Sequence, residues 1–150
     1  QIVLSGKNKE NHLCRVCSLT NNTFKIRINK NINDEKITYQ SKFELKFIKF
    51  CNKNNILIED GHKFEYYWND KERNYLVDFY IPKIKFLIEL KDNHCWHKQQ
   101  INNGKWDAKM NWIDKILKNE NNKYKNYISI FPGNFVEKMN IIKNEYFNKI

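Results

Sequence analysis

The chain has 150 residues and a mass of 18.4 kDa, so it is long enough to bury one core without disulfides. Its 27 lysines and arginines against 17 aspartates and glutamates give a net charge of +10, which favours acidic partners, nucleic acid first and an anionic membrane surface second. Hydrophobic residues make up 41% of the chain, which excludes global disorder, yet no apolar run approaches the roughly 18 residues of a membrane-spanning helix.

The first 40 residues are polar and carry a CxxC motif at Cys14 and Cys17. Structural zinc usually has four ligands, so this motif is half a site, and two free thiols are the alternative. A strand-like run at residues 23–28 precedes a loop rich in Asn, Asp and Lys at 29–36. We interpret residues 1–40 as an N-terminal extension, either a remnant zinc site or a segment that contacts DNA. No secretory signal is visible, and we expect an intracellular protein.

A helix is predicted over residues 41–54, where apolar side chains recur at helical spacing. It begins with Ser41 and Glu44, the S-x-x-E pattern of a capping box. Alternating and apolar runs then predict strands at 64–68, 75–81 and 86–91, with a polar turn at 69–74.

The second half of the chain predicts a helix at 105–118, a strand at 127–131 and a last helix at 134–148. The order is therefore α-β-β-β-α-β-α, which indicates a mixed α/β sheet with a C-terminal helix. Lysines recur along the helix at 105–118, where a solvated face is the ordinary explanation and contact with phosphates is the functional one.

Two carboxylates interrupt the apolar strands. Asp78 lies within Val77-Asp78-Phe79, while Glu89 and Lys91 alternate in the following strand and therefore project from the same face. Ionised groups in apolar strands are costly unless they are paired or bound to a metal. Two carboxylates on neighbouring strands can share a hard cation, and a lysine beside them can orient water or stabilise negative charge. This set suits hydrolysis of a phosphodiester.

The spacing of Asp78 and Glu89-Leu90-Lys91 resembles the D-x(n)-(D/E)-x-K pattern of the PD-(D/E)XK nuclease superfamily. The order of elements is similar to the α-β-β-β-α-β restriction-endonuclease-like core of that superfamily. Residues 41–97 also resemble phage and intron-encoded homing endonucleases related to very-short-patch repair nickases, through the S-x-x-E helix, the V-D-F-Y-I-P strand and the Cys95-Trp96-His97 run.

The resemblance implies a nuclease domain at residues 41–150 that acts on double-stranded DNA. Asp78 and Glu89 would be ligands of Mg²⁺, with Mn²⁺ as a substitute, and the carbonyl of Leu90 would be a further ligand. Lys91 would position water or stabilise charge, and Glu44 would support the metal site. Because relatives often use a histidine where this chain has Glu-x-Lys, the candidates for the general base also include His94 and His97.

Simpler interpretations stand beside these. Glu44 is explained by capping alone, and Glu89 with Lys91 by an ion pair on a polar strand face. A Holliday-junction resolvase or a restriction-type enzyme would share the same core, and a homodimer is left open. A non-catalytic basic nucleic-acid-binding module and a basic partner-binding protein are the alternatives from other functional classes.

Overall fold

The computed structural model describes residues 26–92, 103–119 and 123–148. The described residues form eight strands and three α-helices. The strands are β1 (Arg27–Lys30), β2 (Lys36–Tyr39), β3 (Glu59–Asp60), β4 (Lys63–Trp68), β5 (Lys71–Leu76), β6 (Phe79–Ile81), β7 (Phe86–Leu90) and β8 (Asn126–Ile130). The helices are α1 (Lys42–Lys53), α2 (Lys105–Asn119) and α3 (Phe135–Asn148), and a 3₁₀ turn (Pro132–Asn134) precedes α3. None of the helices in the described ranges is long and apolar enough to cross a membrane.

A four-stranded sheet forms the centre of the molecule, in the order β3-β6-β7-β8. Strands β3, β6 and β7 pair antiparallel, while β7 and β8 pair parallel. The mixed α/β class, the mixed sheet and the C-terminal helix predicted from the sequence are confirmed. All five residues of β7 are buried, as expected for the central strand of a sheet that is covered on both faces.

The two faces of this sheet belong to different cores. Alternate residues of β7 divide between them: Phe86, Ile88 and Leu90 join a core with α1 and α3, whereas Leu87 joins a core with α2, β4 and β5. Because Glu89 and Lys91 follow Leu87 at two-residue steps, their side chains lie on the α2 face.

The N-terminal hairpin of β1 and β2 packs on the first core through Ile37, which is 1% exposed. The sequence predicted a loop at residues 29–36, but strands occupy both ends of that segment. Asn31 organises the turn between them, since its side-chain oxygen accepts from the N–H groups of Asn33 and Glu35 and its amide donates to the carbonyl of Ile58.

A long β-hairpin carries the first predicted strand, which β4 confirms at Lys63–Trp68. The predicted polar turn at 69–74 shrinks to Asn69 and Asp70, both at φ 58°, and β5 already begins at Lys71. Two central residues in the left-handed region make the tight turn that suits hairpin twist, and Asn and Asp tolerate that conformation.

The hairpin is interrupted where the sequence predicted one continuous strand at 75–81. β5 ends at Leu76 and β6 begins at Phe79, yet the antiparallel register of β4 with β5 continues unchanged in β3 with β6. Two hydrogen bonds bridge the gap, from the N–H of Gly61 to the carbonyl of Asp78 and from the N–H of Val77 to the carbonyl of His62, both 3.1 Å. The chain bends at this point, and Asp78 occupies the bend.

Candidate metal centre

Asp78 lies beside the central strand because of this bend. The register of β6 and β7, continued by one residue beyond Phe79, sets Asp78 opposite Glu89. One carboxylate oxygen of Asp78 accepts a 2.7 Å hydrogen bond from the backbone N–H of Leu90. The half-buried Asp78 side chain is therefore fixed against the end of β7.

Glu89 and Lys91 are buried next to it, at 5% and 4% exposure. The ammonium of Lys91 lies 3.3 Å from Oε2 of Glu89 and 4.5 Å from the centroid of the Trp106 ring. Oε1 of Glu89 is buried and has no hydrogen-bond partner among the described residues. A buried carboxylate oxygen without a hydrogen bond is costly, so this atom is a candidate to bind a ligand, although the Glu89 side chain also interacts with the Tyr75 hydroxyl.

Glu44 approaches the same centre from the first turn of α1. Its carboxylate completes the predicted capping box, since Oε1 accepts from the N–H of Gln40 and Oε2 accepts from the hydroxyl of Ser41, each at 3.1 Å. The hydroxyl of Ser41 in turn accepts from the N–H of Glu44. Burial raises the pKa of Glu44, and the negative charges of Glu89 and Asp92 raise it further, so capping and proximity to the centre coexist in one side chain.

Carboxyl groups crowd together at this centre. Burial raises the pKa of Asp78 well above its ordinary value, and the charges of Glu89 and Glu44 add to that rise. The N–H of Leu90 and the charge of Lys91 act in the opposite direction but do not compensate for it. Crowded carboxylates of this kind favour any cation that they can share.

The structure thus brings together Glu44, Asp78, Glu89 and Lys91, which the sequence singled out from segments up to 47 residues apart. In the described part of the chain no three His, Cys, Asp or Glu side chains form a metal-ligating group. The candidate donors are the carboxylates of Asp78 and Glu89, which the register of β6 and β7 sets opposite each other. The carbonyl of Leu90 remains a predicted ligand. The predicted roles of His94 and His97, and of Cys14 and Cys17, fall outside the described residues.

Two tyrosines of this centre were not singled out from the sequence, and Lys109 was considered there only as one of the lysines of the helix at 105–118. The hydroxyls of Tyr75 and Tyr127 lie 2.7 Å apart, and burial together with the charge of Glu89 raises the pKa of both. Lys109 of α2 is 8% exposed, and its ammonium lies 4.7 Å from the centroid of the Tyr75 ring. The helical spacing of Lys109 could have indicated its burial, because it is three residues after Trp106 and four before the buried Ile113, on the apolar side of α2.

Lys109 and Lys91 face the same carboxylates. Burial, together with the positive charge of Lys91, lowers the pKa of Lys109 to about 8, although the charges of Glu89 and Asp78 oppose the change. The centre therefore combines carboxyl groups whose ionisation is disfavoured with a lysine amine whose protonation is disfavoured. Such paired perturbations concentrate at functional sites.

No protein-family model matches this sequence, and comparison with curated proteins and with solved structures finds no match.

Proposed function

We propose that the chain is a metal-dependent DNA endonuclease with a restriction-endonuclease-like core, which hydrolyses phosphodiester bonds at the centre formed by Asp78, Glu89 and Lys91. The observation that carries the proposal is the buried Oε1 of Glu89, which has no partner in the described chain although Asp78 and Lys91 lie on either side of Glu89. A structural ion pair leaves the second carboxylate and the unpartnered oxygen unexplained, whereas a shared cation would account for both.

The residues present fit a hard divalent cation such as Mg²⁺ or Mn²⁺. Carboxylate oxygens are the donors that Mg²⁺ prefers, and it commonly keeps several waters, so two protein carboxylates are a sufficient set. Bound there, the ion would lower the pKa of a coordinated water and neutralise phosphate charge. Asp78 and Glu89 would hold it, and the predicted carbonyl ligand of Leu90 belongs to the same strand end.

The chain's own residues supply the remaining chemistry. Lys91 is held by Glu89 and by the ring of Trp106, so its ammonium is positioned to stabilise negative charge on a phosphate or to orient an attacking water. Glu44 adds negative charge from α1, and its capping bonds fix the orientation of its carboxylate. The net charge of +10 favours DNA over a neutral substrate.

Within this class we favour an enzyme of the homing or very-short-patch type, because the resemblance in the sequence extends beyond the Asp78…Glu89-Leu90-Lys91 pattern to the capped helix and the V-D-F-Y-I-P strand. A Holliday-junction resolvase and a restriction-type nuclease are the alternatives with the same centre. Cleavage of linear, mismatched and branched duplexes by the purified protein distinguishes the three.

Cleavage of supercoiled plasmid in Mg²⁺, with EDTA as the blank, tests the proposed activity. Asp78→Asn and Glu89→Gln keep the shape of each side chain and remove its charge. Each is expected to slow cleavage by more than the roughly 10- to 100-fold typical of outer-shell residues at metal sites.

Glu65→Gln is the matched control, because Glu65 is an exposed carboxylate on the neighbouring strand β4. It is expected to cleave at the rate of the unmodified protein. Equal cleavage by Glu89→Gln and Glu65→Gln, or cleavage that persists in EDTA, would remove the proposed mechanism.

The second candidate is a nucleic-acid-binding module without catalysis, in which the Lys91–Glu89 contact of 3.3 Å is a structural ion pair. It predicts DNA binding with no nicking of any substrate in Mg²⁺ or Mn²⁺.

A further inference from the structure

Four positively charged side chains lie between the candidate metal centre and the turn of the long hairpin. They are Lys91 at the end of β7, Lys109 and Lys105 on α2, and Arg73 on β5. Each rests on an aromatic ring: Lys91 on Trp106 at 4.5 Å, Lys109 on Tyr75 at 4.7 Å, Lys105 on Trp68 at 5.7 Å and Arg73 on Trp68 at 4.9 Å. We call these four side chains the cation track.

The members of the track are close enough to repel one another. Burial lowers the pKa of Lys105, and Arg73 and Lys91 lower it further. Lys91 and Lys105 likewise lower the pKa of Lys109. The repulsion disfavours the free protein, and a polyanion that binds along the track would relieve it.

The aromatic rings explain how the track keeps its geometry. A cation over a ring is attracted by the negative face of the ring, and the ring also limits the freedom of the side chain. Trp68 lies at the end of β4 and contacts both Lys105 and Arg73, which ties the N-terminal end of α2 to the hairpin. The outer two cations are half-buried rather than fully exposed, so they are held near the surface in fixed positions.

We infer that the cation track binds consecutive backbone phosphates of one DNA strand and leads that strand to the carboxylates of Asp78 and Glu89. The inference rests on the proposed function for the identity of the polyanion. Lys91 would contact the phosphate nearest the carboxylates, and Lys105 with Arg73 would contact phosphates farther along the same strand. Successive phosphates of one strand are about 6–7 Å apart, which requires several separate cations rather than one cluster.

The salt dependence of DNA binding tests the track without any catalysis. Affinity of a duplex oligonucleotide is measured by fluorescence anisotropy in EDTA over a series of salt concentrations, for the unmodified protein, Arg73→Gln, Lys105→Gln and the double variant. Each lost phosphate contact is expected to reduce the slope of log K against log salt by about 1, so the double variant should lose about 2. Arg73→Lys keeps the charge and is expected to restore most of the slope.

Lys143→Gln is the matched control, because Lys143 is an exposed lysine of α3, which packs on the opposite face of the sheet. Its slope is expected to equal that of the unmodified protein. A double variant that folds, as shown by an unchanged circular dichroism spectrum, and keeps the full slope would overturn the track. So would an equal loss of slope in Lys143→Gln.

Different results would refute the cation track and the proposed nuclease activity. If plasmid is never cleaved but the double variant loses its slope, the track stands and the proposed enzyme does not. If plasmid is cleaved in Mg²⁺ but the slope is unchanged, the nuclease stands and the track is refuted. A single-stranded oligonucleotide of the same sequence shows whether one strand is sufficient for binding.

Discussion

Glu44 has a capping role and a proposed role at the metal centre, and the two can be separated by substitution. Its carboxylate accepts from Gln40 and Ser41 at the start of α1, and it also lies within the electrostatic reach of Glu89 and Asp78. Glutamine can keep the bond from the Gln40 N–H while removing the charge. The cap and the charge are therefore open to independent measurement.

We expect Ser41→Ala to lower the free energy of unfolding by about 1 kcal/mol, the usual value of an N-cap, as measured by urea titration. Glu44→Gln should change the unfolding free energy by less than about 0.5 kcal/mol, because it keeps an acceptor for Gln40. It should nevertheless reduce the affinity for Mn²⁺ and the rate of plasmid cleavage. A Glu44→Gln protein with full activity would leave Glu44 with the capping role alone.

Lys109 is the residue at which stability and the proposed function conflict most clearly. Its pKa of about 8 in the folded protein lies below the value of 10.5 in an unfolded chain. The folded state therefore resists the protonated form, and the charge of Lys109 costs stability at every pH below about 8. As the pH rises from 8 towards 10.5, the unfolded chain holds more protons than the folded one and this cost disappears.

Lys109→Met should therefore stabilise the metal-free protein at pH 7, by at most about 3 kcal/mol, since each pKa unit corresponds to about 1.4 kcal/mol. Loss of the contact with the Tyr75 ring reduces this gain by about 0.5–2 kcal/mol. The gain should shrink between pH 8 and pH 10 in urea titrations. Lys118→Met, at an exposed position of the same helix, should show no such pH dependence. A gain that is equal at both pH values would contradict the assignment.

The bend in the long hairpin positions Asp78, and Gly61 makes it possible. A Cβ atom on Gly61 would lie 1.7 Å from the carbonyl oxygen of Val77, which is backbone and has no room to give. The N–H of Gly61 also donates to the carbonyl of Asp78 itself. Any larger residue at position 61 must separate the two strands where the carboxylate is held.

We expect Gly61→Ala to lower the free energy of unfolding by about 2–4 kcal/mol, at the upper end of overpacking effects, and to abolish cation binding at the centre. Gly133→Ala is the control, because no atom lies within 4 Å of its added Cβ and its φ is not positive. That variant should be neutral or gain a few tenths of a kcal/mol. Equal thermal midpoints for the two variants would show that the close approach at Gly61 does not constrain the fold.

The helices and most of the strands of this chain were predictable because each carries its own local pattern, whereas the short strands β2 and β3 were not predicted. The sequence alone shows the S-x-x-E cap and the apolar stripe of α1. It also shows that β7 is apolar except for Glu89. The interruption between Leu76 and Phe79 was not predictable, because it depends on how closely Gly61 approaches Val77 on another strand. Local propensity contains no information about such a contact.

The same limit applies to the candidate site. Asp78, Glu89 and Lys91 were singled out because charges in apolar strands are unusual, and the structure places them together. Lys109 and Arg73 were considered only as a helix lysine and a loop arginine that could contact DNA, because nothing in the sequence separates them from ordinary surface residues. Their importance follows only from packing that sets both beside aromatic rings.

The whole molecule separates its charges in a manner that suits a polyanionic substrate. Among the described residues, the four cations of the track lie beside the carboxylates that are held against apolar strands, and the net charge of the chain is +10. Each set of charges is unfavourable by itself, the carboxylates because they crowd and the cations because they repel. A divalent cation for the first and DNA phosphates for the second would relieve both.

Binding of Mn²⁺, measured by electron paramagnetic resonance on the metal-free protein, tests this account most directly, because it needs neither DNA nor turnover. The unmodified protein and Glu65→Gln should bind the ion at one strong site per chain, whereas Asp78→Asn and Glu89→Gln should lose that site while remaining folded. Equal Mn²⁺ binding by all four proteins, or no strong site in any of them, would contradict the assignment of Asp78 and Glu89 as a metal centre.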